Sequence, residues 1–420
     1  MRSAILRNFG LAVAALALPA AALAQSEGPE RIDEVRRDAR THLGPFYATP
    51  TIVLKELGVD SNVFNAAGEP ESDFTFTAAP AADVWVPVAR RALFQLTAGS
   101  DLVWYANFNS ERSIDPQVAG RAEIYLRRIT LFATSNYLNT RQRLNYEVDL
   151  RARHIERDST AGVAVHLTPK FSVEAAGRLD DTRFDADASF DGVSLQRTLN
   201  QKTKGASLAT RHQLTPLTTV VVRYEQVEDE FPFSPARDSK SFRVMPGVEF
   251  KPRALIKGSA YVGYRQFTPK ATETLPKFSG LVAQLGLSYT LLGSTSFGVS
   301  YARDLTYSYE ELQPFFINNS VGASIRRALG RRFDVLVSAD RHRYVYEDLL
   351  TAPAEGVAIA AVTPAARRID TTWNYSGSVG YRIGRGRVGF GCSYWQRESP
   401  SRAFRGYDNL RFGTTVTYGF

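Results

Sequence analysis

The sequence predicts an all-β chain folded as a single transmembrane antiparallel up-and-down β-barrel of about eighteen strands, with sixteen as the lower bound. Three observations predict it. The chain opens on an export leader, almost everything after that leader alternates apolar and polar residues, and the last strand ends on an aromatic carboxy-terminal residue.

The leader comes first. Arg2 and Arg7 give a positive start, Leu11 to Leu18 is a short apolar run, and Ala22-Leu23-Ala24 supplies the small residues that signal peptidase requires. The run is too short for a stable spanning helix, so cleavage after Ala24 is expected. Residue 25 is Gln and not Cys, which leaves no lipid attachment point there. Residues 1–24 are thus read as a cleaved signal peptide, 25–45 as a short charged periplasmic segment, and 46–420 as the barrel. Within Ser26 to Gly44, Ile32, Val35 and Ala39 recur at helical spacing among many charges. That segment is either a periplasmic tail or helix, or a small plug entering the barrel from below.

From Phe46 onward, runs of roughly ten residues alternate, the period that places apolar and polar side chains on opposite faces of a strand. In Trp373, Tyr375, Val379, Tyr381 and Ile383 one parity is apolar, and Thr372, Asn374, Ser376, Ser378, Gly380 and Arg382 make the other. After Gly384-Arg385-Gly386 the pattern resumes with Val388, Phe390, Cys392 and Tyr394. Eight short turns fall at 88–90, 127–128, 168–170, 214–217, 251–254, 292–294, 330–331 and 384–386. Between them lie nine longer polar stretches, near 60–71, 107–115, 139–145, 184–196, 229–238, 267–275, 307–314, 346–369 and 397–404. An even strand number with turns of two alternating lengths is the pattern of bacterial barrels, whose short turns face the periplasm. On the final strand, Phe412, Thr414, Val416, Tyr418 and Phe420 share one parity. Phe412, Val416, Tyr418 and Phe420 are read as the signal by which the barrel assembly machinery recognises the chain. Together these features place it in the outer membrane of a Gram-negative-type cell, against outer-membrane lipid and lipopolysaccharide.

Composition agrees. Aromatics make up 11 % of the chain, with 19 Tyr and 25 Phe, as interfacial girdles need. The single cysteine, Cys392, has no partner for an internal disulfide and reads as a small apolar side chain. Net charge is +8, of which Arg2 and Arg7 leave with the leader. An exported chain seldom meets nucleic acid, so the charge points to acidic headgroups or to a lumen that draws anions.

Two stretches carry a family resemblance. Gly44-Pro-Phe-Tyr-Ala-Thr-Pro-Thr-Ile-Val-Leu-Lys-Glu-Leu-Gly-Val-Asp-Ser-Asn-Val-Phe64 ends a first strand on Asp60-x-Asn62-Val63-Phe64, and Ser72-Asp-Phe-Thr-Phe-Thr-Ala-Ala-Pro80 opens a second. This resembles the Putative beta-barrel porin 2 family, barrels linked with exopolysaccharide export. The resemblance implies a single-domain outer-membrane barrel, with a polysaccharide porin among the roles it suggests, and brings no catalytic residues with it.

The residues offer little catalytic chemistry. None of His42, His154, His166, His212 and His342 is followed two positions later by a serine, the spacing that would put both on one strand face. Asp180, Asp181, Asp185 and Asp187 cluster near a strand end, where acidic groups more often make a solvated rim or contact lipopolysaccharide through divalent cations. No Cys/His set has metal-ligand spacing, and no cofactor is expected.

The polar parity is more informative. With apolar residues outward, the candidates to line a pore are Arg121, Arg178, Arg211, Arg223, Arg243, Arg265, Arg326, Arg382 and Arg411, with Tyr105, Tyr125, Tyr261 and Tyr407. Inward acids are fewer: Asp101, Glu123, Glu174, Glu225, Glu249, Asp304 and Asp334. The arginines either stiffen the wall as ladders with these carboxylates or form a path for anionic or hydroxyl-rich solutes. The apolar run Val357 to Val362, inside the long loop 346–370, should not face water and is expected to turn into the lumen or onto a neighbour or lipid. The function expected is a porin-like channel for hydrophilic solutes, anionic or saccharide. The alternative is an outer-membrane component of exopolysaccharide export or secretion, and a barrel enzyme is disfavoured.

Overall fold

The computed structural model describes residues 30–251, 254–350 and 367–419; the leader with its cleavage site, the apolar run Val357 to Val362, and Phe420 lie outside the described residues. Eighteen strands close on themselves. They are β1 Phe46–Asp60, β2 Asp73–Val88, β3 Ala92–Tyr105, β4 Ser113–Tyr125, β5 Ile129–Thr140 and β6 His154–Thr168. Next come β7 Phe171–Phe184, β8 Gln201–Thr215, β9 Thr218–Glu230, β10 Ser239–Phe250, β11 Ile256–Pro269 and β12 Phe278–Leu291. The last six are β13 Thr295–Tyr307, β14 Phe315–Leu329, β15 Phe333–Glu347, β16 Ile369–Ile383, β17 Gly386–Glu398 and β18 Tyr407–Gly419. Each pairs antiparallel with its sequence neighbour, and β18 returns to β1 from Thr51↔Gly419 to Asp60↔Arg411. Closure leaves no unpaired edge in the hydrocarbon layer, which an open sheet could not survive. The eighteen strands, with short turns at one end and longer loops at the other, are those the alternation predicted.

The closing seam has a local device. Pairing of β1 slips at Leu54/Leu57 against β18, and Glu56 takes a left-handed φ of 59° there. This is a bulge, which bends a strand and raises its twist. Just beyond it the backbones of Gly58 and Gly413 approach so closely that a Cβ on Gly58 would collide with the Phe412 carbonyl.

Alternation sets the two faces. Exposed Phe94, Leu102, Leu131, Leu179, Val262, Leu281, Val321, Val337 and Phe390 lie on the outward parity. An apolar belt of this kind meets lipid. Near its loop-end margin sit aromatic pairs such as Phe76 with Trp104, whose rings stack at 5.2 Å, and near the turn end Phe333 with Tyr381 at 4.8 Å. Such girdles settle at the membrane–water interfaces.

Two elements differ from the sequence expectation. The loop expected near 139–145 extends to residue 153, because β6 starts only at His154. The alternation of Tyr146, Val148 and Leu150 looks like a strand, yet Val148 is fully buried in a loop-end core with Phe184, Leu195, Leu199 and Tyr309. The neighbouring loop, expected near 184–196, runs on to Asn200 and holds a two-residue hairpin, Ser189–Phe190 against Val193–Ser194, and the short helix Leu195–Leu199. At the other end, the helix Glu30–Asp38 (α1) lies against the inner wall. Ile32 is fully buried beside Leu93 and Tyr125, with Val35 and Trp85 alongside. Arg31 reaches Glu123 at 3.0 Å and Gln95 at 2.8 Å. These contacts hold the helix at the turn end of the barrel.

Candidate permeation path

Most of the nine inward arginines form ladders with the inward acids. Arg121 pairs with Glu123, which also takes the Tyr125 hydroxyl at 2.5 Å. Arg178 holds Asp180 at 2.7 Å, and Arg211 holds Glu174 at 2.7 Å. Arg243 bridges Glu225 at 2.6 Å and Asp304 at 3.1 Å, and Arg265 adds a 2.7 Å contact to Asp304. Arg411 meets Asp60 at 2.9 Å. Arg223 makes no ion pair among the described residues and lies 4.9 Å above the ring of Tyr261, whose hydroxyl donates to Glu249. Tyr105 lies under Arg151 and Tyr407 donates to Asp149 at 3.0 Å, so both serve the loop end. Charge-assisted contacts of this kind are the strong ones, and here they neutralise most of the arginine charge within the wall.

The charge surplus is local. At the turn end, Arg382 at 3.5 Å and Arg387 at 2.6 Å share the single carboxylate of Asp334, and Arg326 lies close enough to feel all three. The Arg387 guanidinium lies flat over Gly380 and Gly389, where any Cβ would strike it.

The two sides of the lumen differ in size of side chain. Strands β4 and β6 to β11 carry most of the Arg, Glu, Asp and Tyr ladders, with Asp304 reaching them from β13. Across β12 to β17 the paired row Ser288, Gly298, Ser324, Ser338, Ser376 and Ser393 contains nothing larger than serine. Ser338 and Ser376 bond to each other at 2.7 Å. An eighteen-stranded barrel has room for water unless side chains or loops fill it, and this row adds only small side chains to the wall.

At the loop end the lumen is crossed. The loop 141–153 leaves the β5–β6 side and seats on the far wall. Arg397 of β17, with no side-chain exposure, donates to the Tyr146 carbonyl at 2.8 Å, Asp149 at 2.5 Å and Asp370 at 2.9 Å. Arg143 donates to the Val63 carbonyl at 2.7 Å. Glu147 is fully buried and accepts from the Ser308 hydroxyl at 2.6 Å. Burial pushes its carboxyl up to about 7, with the Ser308 bond opposing and Glu310 adding. Arg368 and Arg402 clamp Glu310 from two further loops, at 2.8 and 2.7 Å. Sequence reading left Arg397 in the loop expected near 397–404, and nothing local showed that a loop 250 residues away would meet it.

The acidic cluster does not converge. Asp180 faces inward to Arg178, while Asp181 faces outward to Arg183 at 2.7 Å. His154 is engaged with the Ala152 carbonyl at 2.9 Å.

A closed barrel of this size, with a lipid-facing apolar belt and a polar interior under infolded loops, is an outer-membrane protein of the porin type. More particularly, the model of the Putative beta-barrel porin 2 family matches residues 41–401, and the chain belongs to that family. Its fold is similar to OccK3 (OpdO) of Pseudomonas aeruginosa, at 10 % identity over 89 % of this chain and 95 % of that one, TM-score 0.45. It is likewise similar to a BenF-like porin of Pseudomonas fluorescens Pf-5, at 8 % identity over 90 % and 100 % of the two chains, TM-score 0.48. The siderophore receptor PirA of Pseudomonas aeruginosa aligns over 91 % of this chain and 81 % of its own, at 8 % identity and TM-score 0.43. No curated protein matches the chain.

Proposed function

We propose that the protein is a passive channel for hydrophilic, hydroxyl-rich solutes, and that their path follows the Ser/Gly wall of β12 to β17. The observation that carries this reading is the asymmetry of the lumen: paired charges bind one another on one side, and small hydroxyls are open to solute on the other. A serine wall offers donors and acceptors without a fixed charge, which suits uncharged polar molecules as well as ions. Anion preference then comes from the turn-end arginines Arg326, Arg382 and Arg387 rather than from the ladders. Planar-bilayer recording tests the reading. Ohmic channels with weak anion preference are expected, and a protein that inserts but passes no current would overturn it.

An export role is the second reading. Helix α1 presents exposed Glu34, Arg36 and Arg37 at the turn end, where a periplasmic partner would meet the barrel. Site-specific crosslinking from Glu34 in cells tests it, and a crosslink to nothing but the barrel itself would remove the support.

A further inference from the structure

One cluster on the open wall is not part of the ladders. On the row above the serines, Gly322, Asp340, Asn374 and Trp395 are hydrogen-bonded neighbours on β14 to β17, and His342 stands one inward position nearer the loops. Tyr146, from the crossing loop, covers them: its ring lies 4.6 Å from that of His342 and 5.5 Å from that of Trp395. The polar atoms of this cluster have no partner among the described residues. They are the Tyr146 hydroxyl, the Trp395 indole nitrogen, the Asn374 carbonyl oxygen and Nδ1 of His342, a residue only 8 % exposed. Asp340 makes no ion pair among the described residues, and its carboxylate leans over Gly322, where a Cβ would strike it.

Buried donors and acceptors usually find partners, so a group of them in one place needs an explanation. The ladder carboxylates Glu123, Glu174, Glu225, Asp304 and Asp334 are each met by guanidinium. Here two donors, at least two acceptors and three aromatic rings face one another with no cation among them. Rings pack on the C–H faces of a sugar while neutral acceptors and a lone carboxylate take its hydroxyl protons. The Ser/Gly row borders the cluster on the side away from the loops.

We propose that Tyr146, Asp340, His342, Asn374 and Trp395 form a binding site for one uncharged, hydroxyl-rich ring, a single sugar unit. The site rests on the channel reading for its access route but not for its chemistry. The unpaired Asp340 carboxylate selects neutral rings over anionic ones of the same shape, opposite in sign to the turn-end arginines. Tyr146 couples occupancy to the crossing loop, because its ring rests directly on His342 and Trp395 and a ligand entering beneath it displaces the loop that covers the mouth.

The test uses the folded full chain in detergent, titrated with glucose, galactose, mannose and glucuronate while tryptophan emission is followed, and the same chain in planar bilayers. Saturable change with at least one neutral hexose is expected, with glucuronate at least tenfold weaker than that hexose. Asn374→Ala and Asp340→Asn should each weaken binding about tenfold, the size of one lost hydrogen bond to a buried partner. Trp395→Phe should abolish the emission change and keep part of the sugar-induced current block. Heat-modifiability on gels confirms that each variant is folded. Saturable binding without any current would remove the channel reading and leave the site standing. Current without saturable binding by any of the three hexoses, or binding unchanged in Asp340→Asn and Asn374→Ala, would overturn the site.

Discussion

Replacing Arg397 with Gln should release the loop that crosses the outer mouth. The guanidinium is fully buried and joins Asp149 of the loop to Asp370 of β16, while also holding the loop carbonyls of Tyr146 and Glu147. Removing one partner of a buried ion pair typically costs ~3–5 kcal/mol. The lower end applies here, since Asp370 keeps Arg368 at 2.7 Å and Ser399, and Asp149 keeps Tyr407 at 3.0 Å. A loss of ~3 kcal/mol shifts the seated-to-released ratio by roughly a hundredfold. Limited trypsinolysis in folded, heat-modifiable protein reads this directly: cleavage at Arg141, Arg143, Arg151 or Arg153 should rise by about that factor. Single-channel records should show a larger conducting state. If the loop stays resistant and conductance is unchanged, Arg397 is not what seats it.

Further outcomes follow from the same contacts. The Glu147 carboxyl is raised to about 7 from 4.5 in the seated loop, so the seated state holds the proton more tightly than the released one. Seating is therefore strongest below the ordinary glutamate range and weakens as pH rises toward and through 7; Glu147→Gln should flatten that dependence of loop proteolysis, and an unaltered profile would exclude Glu147 as its source. Replacing Arg326, Arg382 and Arg387 together with Gln should move the reversal potential toward cations, more at 0.1 M than at 1 M salt because the Debye length falls from about 10 to about 3 Å. Replacing Arg265 with Gln should instead leave selectivity nearly unchanged and lower thermal stability by less than the ~3–5 kcal/mol of a fully broken buried pair, since Asp304 loses its closer partner and keeps Arg243 at 3.1 Å. Ile32→Asp should expel helix α1 from its seat on Leu93 and Tyr125, read as faster proteolysis ahead of β1; an equally protected helix would mean that the apolar contact does not hold it.

The barrel was legible because its rule is periodic. Lipid on one face and water on the other force alternation on every strand, so strand number and the two turn lengths could be read from spacing alone. Arg121, Arg243 and Arg265 could be placed inward for the same reason, but not their partners: Asp304 lies three strands from Arg243 along the wall, and pairing across a curved lumen leaves no local trace. The loop 141–153 was misread at its edge because Tyr146, Val148 and Leu150 alternate for a different reason, the packing of Val148 into a loop-end core. Trp395 stands on the polar parity between Tyr394 and Gln396. An aromatic residue on the wrong face was the one available sign of the site beneath Tyr146.

The account depends most on the Ser/Gly row being the open side of the lumen. Bulky substitution there tests it: Ser338→Trp and Ser376→Trp, each inward, set beside Ala339→Trp, on the next residue and the lipid-facing parity. Single-channel conductance should fall severalfold in both serine variants and stay at the wild-type value in Ala339→Trp, with all three barrels heat-modifiable. Wild-type conductance in both serine variants would contradict the account, because solute would then be passing somewhere other than along this wall.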